Sequence, residues 1–461
     1  MIKKNEELFY LIKSLNKSEK RYFKVPHQTN PSAEYLILFA AIDAQESYDE
    51  NAIKAEFKDK TFVNQLTTIK NYLKQKIMQS LRDFHAKISV EAELIDIIRN
   101  VEILYHKGLY SICLSELKRA EKKAIRTENN KLLFHILSWK LTILKSLPNI
   151  DQKTLRNLVN QQKQVLKTIK DYVDLTAAHL LPNETTKPHN KTSSLLNKTL
   201  KTSHKYQQLI AQNAIDKAKK LLEDVLKDWE DNTLMLEESF TTYFSIANDY
   251  IDLLVKQKQF REGLVQILKL KQKATQYEEQ SAAFINEKLR LFTAELEIRR
   301  HLKDLHTTNE TVREIKAFMQ ANTALVSLNY KLSLTLQFAS IYLTKKNYEN
   351  VLSCIDLILR EDVKKQFKEL LLPSLWLQLL AYYELGKNNL IKPLIPQIKK
   401  EIKKQKNIAP YEDVLFKFIR STAPLSSAEK KPLFITLKEE LQNVLHSKSI
   451  PYDIEQWINS K

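Results

Sequence analysis

The side chains able to carry acid–base or metal chemistry in this chain are spread out. Asp249 and Asp252 stand at i, i+3, a spacing that puts both carboxylates on one face of a helix. Such a pair does acid–base work only when its surroundings push the two pKa values apart. On a charged helical surface the expectation is a solvated pair. His301 and His306 are five residues apart, so on a helix they point about 140° apart and do not converge on one ion. His179, His189 and His204 surround a polar stretch with no cysteine or carboxylate to complete a ligand set. Cys113 and Cys354 are far apart and show no metal-ligand spacing. The three glycines, Gly108, Gly263 and Gly386, cannot build a phosphate-binding loop, and Gly386-Lys387 lacks every other part of one. The sequence therefore reads as a non-enzyme, with no cofactor and no metal.

Two basic segments could contact phosphate. Lys17, Lys20, Arg21 and Lys24 enclose Tyr22 and Phe23; cations contact the backbone of a nucleic acid while aromatics stack on bases. A second, lysine-rich run extends from Gly386 to Ile408. Residues 49–84 also admit a helix-turn-helix reading, with Lys70, Lys74 and Arg82 on the longer helix. The plainer expectation for all of these is a solvated face, with Tyr22 and Phe23 as packing anchors.

Composition decides what must position these groups. Three glycines in 461 residues, where about 7% is usual, argue against hairpin-rich sheets and nucleotide-binding α/β folds. Helices lose nothing by lacking glycine. The net charge of +18 is spread along the chain and favours an acidic partner. The cysteines read as buried thiols in a reducing compartment. Acids in the first residues and the lack of a small-residue cleavage site give no export signal. The apolar stretch Leu370 to Tyr383 is too short to span a bilayer. A cytoplasmic location is expected.

Periodicity supplies the elements. Leu8, Leu11, Ile12 and Leu15 form one helical stripe. Residues 49–58 predict a short helix opened by Asp49 and Glu50, then a polar turn and a long helix striped by Ile69, Leu73, Ile77, Leu81 and Phe84. Leu94, Ile97, Ile98, Val101 and Leu104 form a stripe ahead of a turn at Gly108. The polar stretch 182–204 predicts a loop or hinge, with a short helix around Leu195. Pro373 is expected in the first turn of a helix. Pro393 and Pro396 are expected at a kink or a helix start. Residues 433–461 predict an amphipathic helix, a break at Pro451 and a short capping segment.

Four stretches then resemble the tetratricopeptide repeat, a helix–turn–helix of about 34 residues. The first carries Gly108, Tyr110, Cys113, Leu117 and Ala120. The second has Leu254, Lys258, Phe260, Gly263, Ile267 and Leu270, with glycine in the small-residue slot. The third has Ala339, Tyr342, Lys346, Tyr348, Val351, Ile355 and Ile358. The fourth has Tyr382, Gly386, Asn388, Ile391 and Ile395. No single 34-residue period joins them. The chain is also similar to uncharacterised bacterial helical-repeat proteins that carry a stretch like Ser14 to Lys24, a resemblance that implies no activity.

The resemblance implies an all-α, irregular α-solenoid of antiparallel, TPR-like hairpins. The expected plan is an N-terminal helical bundle at 1–90, hairpins at 91–181, the polar loop at 182–204, further repeats at 205–432 and a cap at 433–461. The expected function is a non-enzymatic scaffold that binds an acidic peptide or protein. The alternative is a nucleic-acid-binding regulator using residues 1–90 under control of the repeats.

Overall fold

In the computed structural model, residues 6–25, 33–86, 89–147, 151–181, 194–277, 281–323, 325–404, 410–444 and 452–461 are described. Among the described residues the chain forms 24 α-helices and no strand. None of these helices is long and apolar enough to cross a membrane. The chain divides into two compact units, residues 1–208 with 227–238, and residues 209–226 with 239–461.

In the first unit, α1 (Glu7–Ser14), α2 (Lys17–Lys24), α3 (Glu34–Ala44), α4 (Glu50–Glu56) and α5 (Leu66–Phe84) share one core. Ile12, Phe23, Leu38, Phe39, Ile42, Ile53, Leu73 and Ile77 are buried in it. Local chemistry starts these helices. Asn16 and Glu19 form a capping box on α2. Asp49 accepts the N–H groups of Asn51 and Ala52 at the start of α4.

A second core follows, built by α6 (Val90–His106), α7 (Tyr110–Arg126), α8 (Asn130–Lys145) and α9 (Gln152–Leu180), each in contact with the next. Cys113, Leu117 and Ala120 are fully buried at the α6–α7 contact. The Cys113 thiol donates to the Val101 carbonyl, and burial raises its pKa.

Of the loop expected at 182–204, residues 195–204 are helical, so the short helix expected around Leu195 is longer than the sequence suggested. These residues belong to α10 (Leu195–Ala211), a 17-residue helix; residues 182–193 lie outside the described residues. Polar side chains that disfavour helix interiors find distant partners here. Glu128 accepts the N–H groups of Leu195 and Leu196 and the Ser194 hydroxyl, capping α10 from the α7–α8 turn. Buried Asn197 donates to the Thr168 carbonyl at 3.2 Å, and Trp229 Nε1 donates to Thr199 at 2.9 Å. Trp229 belongs to α11 (Ile215–Glu230), which precedes the short α12 (Thr233–Glu238).

The second unit repeats one device. Helices α13 (Phe240–Lys256), α15 (Ala282–His301), α17 (Leu328–Thr344) and α20 (Lys368–Glu384) each lead through a three-residue turn into α14 (Phe260–Gln276), α16 (Leu305–Ala321), α18 (Tyr348–Leu359) and α21 (Asn388–Lys404), respectively. We call the first set A helices and the second B helices. Consecutive A helices touch, α13 to α15, α15 to α17 and α17 to α20. At each turn the middle residue is left-handed and the following N–H returns to a carbonyl five residues back, as in Gln259 to Leu254 and Asn347 to Tyr342. This closes the helix end by a 6→1 bond.

The left-handed residues of this unit are Asn213, Lys258, Lys303, Lys346 and Gly386, at intervals of 45, 45, 43 and 40 residues. The turns at 213 and 303, which lack both the glycine and the aromatic of the sequence pattern, fill the gaps that had hidden a period. Gly263 serves the role its position suggests: a Cβ there would meet Ile298 Cδ1 at 2.7 Å, so its absence lets α14 approach α15.

Pro373 corrects the sequence expectation. It is the sixth residue of α20, beyond the first turn. Pro393 and Pro396 lie inside α21. Each proline loses one main-chain donor. Burial of Leu375, Trp376, Leu377, Leu379 and Leu380 on α20, and of Ile391, Leu394, Ile395 and Ile398 on α21, holds the helices through them. The chain then runs through α19 (Glu361–Gln366) between α18 and α20, and through α22 (Pro410–Thr422), α23 (Ser427–Val444) and α24 (Tyr452–Asn459) at its end. The helix expected from Leu433 lies within α23, which begins earlier, at Ser427, and α24 contains the short segment expected at Asp453–Trp457; the break expected at Pro451 lies outside the described residues.

Candidate functional site

The A helices of the second unit place one polar cluster that sequence spacing only half reveals. Asp249 and Asp252 do share a face of α13, and that face meets Arg290 on α15. The guanidinium donates to Asp249 at 2.6 Å and to Asp252 at 2.5 Å through Nη2, and to Asp252 at 3.0 Å through Nε. Glu287, one turn earlier on α15, lies 3.6 Å from Nη1. All four groups are half-buried. Glu287 also accepts from Ser245 and from Asn248, which is 1% exposed.

Burial raises the pKa of Asp249, while Arg290 opposes the shift. Glu297, two turns along α15 from Arg290, is raised by burial in the same way. The helical face thus concentrates carboxylates, and Arg290 compensates those nearest it. Asp252, Lys256, Arg290, Glu297, Tyr330 and Ser333 line a recess of about 350 Å³ across α13, α15 and α17. Its lining balances two carboxylates against two cations. Such a surface can orient a partner by directional hydrogen bonds and charge. No group of three or more histidine, cysteine or acidic side chains able to hold a metal occurs among the described residues.

His301 ends α15. Its ring stacks on Phe260 at 4.3 Å, and its Nδ1 lies 2.9 Å from the Glu297 carbonyl. The side chain of His306 lies outside the described residues, as do His189 and the side chain of His179. His204 sits on α10, its Nε2 2.9 Å from the Gln208 amide.

The basic residues read as phosphate contacts divide by environment. Lys17, Arg21 and Lys24 are exposed on α2, and Lys24 lies over the Phe39 ring at 5.3 Å. Lys20 pairs with Asp43 at 2.6 Å. On α5, Lys70 is 15% exposed and donates to Tyr48 and Glu50, while Lys74 pairs with Glu7. These two lysines tie α5 to α1 and α4; Lys70 is engaged within the bundle, while Lys74 stays exposed. Arg82 is exposed. Phe23 is buried, and Tyr22 packs edge-on against Phe84 while staying exposed.

The repeat positions are mostly packing positions. Tyr110 meets Tyr105 at 5.5 Å between ring centroids. Gly263 and Ile267 are buried. Tyr342 accepts from Lys316, Tyr348 donates to Glu384, and Tyr382 accepts from Gln378. Gly108 and Gly386 sit at φ +73° and +66°.

No family model, curated protein or solved structure matches this chain.

Sequence spacing paired Asp249 with Asp252 but missed Arg290, Glu287 and Glu297. What relates them is the recurrence of helix, three-residue turn and helix at 40–45 residues, which the structure reveals. It aligns α13 with α15 and brings Asp252 opposite Arg290.

Proposed function

We propose that this chain is a non-catalytic interaction scaffold of the helical-repeat kind, its second unit an irregular, TPR-like α-solenoid that offers the A-helix face to a partner protein. One observation carries the reading. Half-buried polar side chains from three successive A helices, Asp252, Arg290 and Ser333 among them, line one recess. Ion pairs of this sort add little stability over apolar packing, and their directional groups suit recognition. Stacked hairpins with a lined face are a common way to hold an extended or helical partner. The overall basic charge and the cation Arg300, which already receives a carboxylate from α24, favour a partner with acidic residues. Buried Cys113 and half-buried Cys354, both free thiols, suit a reducing, cytoplasmic setting.

The test is site-directed photo-crosslinking in the host cell. A photoreactive residue at Ser333 or Lys256 is expected to trap a discrete partner, and Arg290→Ala to diminish the adduct at Ser333. The same residue at Leu268, exposed on B helix α14, is expected to trap nothing. Equal labelling at all three sites, or none, rejects the reading.

A further inference from the structure

The chain's last helix occupies the face just described. Asp453, in the first turn of α24, accepts from Arg300 on α15 and from the Ser340 hydroxyl on α17, the latter at 2.8 Å. Trp457 Nε1 donates to Glu384 of α20 at 2.7 Å, and Lys461 reaches the same carboxylate at 2.6 Å. The indole meets Tyr383 and Phe434 edge-on, with centroids 5.5 and 5.3 Å apart. Ile454, Trp457 and Ile458 are each at most 4% exposed. Their i, i+3, i+4 spacing makes one apolar stripe.

These contacts come from three consecutive A helices and, through Phe434, from α23. Arg300 stands one turn beyond Glu297, so the seat of α24 adjoins the Arg290 recess. The arrangement is an amphipathic helix laid in a groove. It has the anatomy of an exchangeable interface, a buried indole and aliphatic anchors ringed by charge-assisted hydrogen bonds. Eight residues are too few to hold a helix in water without that groove, so α24 orders by docking. A helix on the same chain competes with an external one through its effective concentration.

We infer that the A-helix face is a helix-binding groove held in cis by α24. Its partner in trans is an amphipathic helix of the same chemistry: a carboxylate in its first turn for Arg300 and Ser340, then an aliphatic–x–x–indole–aliphatic stripe. This rests on the scaffold reading and names its partner class.

The experiment uses the full chain and a fluorescent peptide of residues 451–461. Trp457→Ala is expected to free the groove, so that the substituted chain binds the peptide at least ten-fold tighter than the unaltered chain, since apparent affinity scales with the open fraction. Adding Arg300→Ala is expected to weaken that binding at least ten-fold. In the unaltered chain, hydrogen exchange at residues 454–459 is expected to run at least ten-fold faster than in α20. A folded Trp457→Ala chain that binds no peptide, or α24 amides as protected as those of α20, would make α24 a permanent part of the core and overturn the inference. If Trp457→Ala does not fold, the exchange measurement decides, repeated on Asp453→Ala, where exchange in α24 should accelerate while α20 is unchanged. Photo-crosslinks at Ser333 that survive a negative peptide result leave the scaffold reading standing without the in-cis helix.

Discussion

Arg290 of α15 reaches Asp252 of α13 with two nitrogens, at 2.5 and 3.0 Å, and holds Asp249 with the first of them. The pair joins two A helices that are adjacent in the fold but separated in sequence by the whole of α14. Removing the guanidinium leaves half-buried carboxylates facing one another. Arg290→Ala is expected to cost about 2–4 kcal/mol, read as a lower urea midpoint. Arg290→Lys is expected to recover only part of that, because an ammonium cannot reproduce the planar fork. Asp249→Asn with Asp252→Asn in the Arg290→Ala background should restore stability, and no restoration would show that lost packing, not charge, dominates.

The turns allow a contrast among residues with the same backbone. Lys258, Lys303 and Lys346 hold positive φ at 58°, 57° and 60°, a region that costs a residue with a side chain about 1–2 kcal/mol. Lys303→Gly and Lys258→Gly are each expected to stabilise the protein by about 0.5–1 kcal/mol, net of glycine's greater unfolded entropy. Glu128 has φ 50° as well, yet Glu128→Gly should destabilise by about 1 kcal/mol because its carboxylate caps α10. Thermal denaturation of the three variants compares them directly; a uniform response would remove the capping role.

Gly263 faces Ile298 so closely that a methyl group would sit 2.7 Å from Cδ1. Gly263→Ala is expected to destabilise by about 1–3 kcal/mol through overpacking. Ile298→Val, which lacks Cδ1, should lower the penalty in the double variant below the sum of the two single effects. Additive effects in that double-mutant cycle would rule out this contact as the cause.

Glu50 links α4 to α5. Hydrogen bonds from Lys54 and then Lys70 lower its pKa to about 2. A carboxyl with a depressed folded pKa adds stability that is complete above its unfolded pKa and is lost as pH falls through the folded value. The stability difference between the unaltered chain and Glu50→Gln should therefore be constant near neutrality and vanish from about pH 5 to about pH 2. Its size should be about 1 kcal/mol, allowing for solvent screening of a side chain one-third exposed. Chemical denaturation at several pH values checks it.

The same contacts bear on nucleic acid. Lys70→Ala is expected to lower stability and to leave low-salt duplex-DNA anisotropy unchanged, because its ammonium already serves Glu50 and Tyr48. A loss of DNA binding without a loss of stability would instead support the helix-turn-helix reading.

The all-α class was legible from scarce glycine and from stripes at helical spacing, since both are local properties of the chain. So were the helix start at Asp49, the turn at Gly108 and the small-residue role of Gly263. A short helix around Leu195 was legible, but its continuation through residue 204 was not, because its polar residues and first N–H groups are satisfied by Thr168 and Glu128, partners dozens of residues away. The 40–45-residue recurrence was hidden for a related reason: two of its turns, at Asn213 and Lys303, carry neither the glycine nor the aromatic of the pattern, and tertiary packing holds them left-handed. Sequence alone determined which faces are apolar. Only the tertiary structure decided what those faces meet, setting Arg290 against the aspartates of α13 and seating Trp457 on α20, because pairings between distant helices depend on the turn geometry that aligns them.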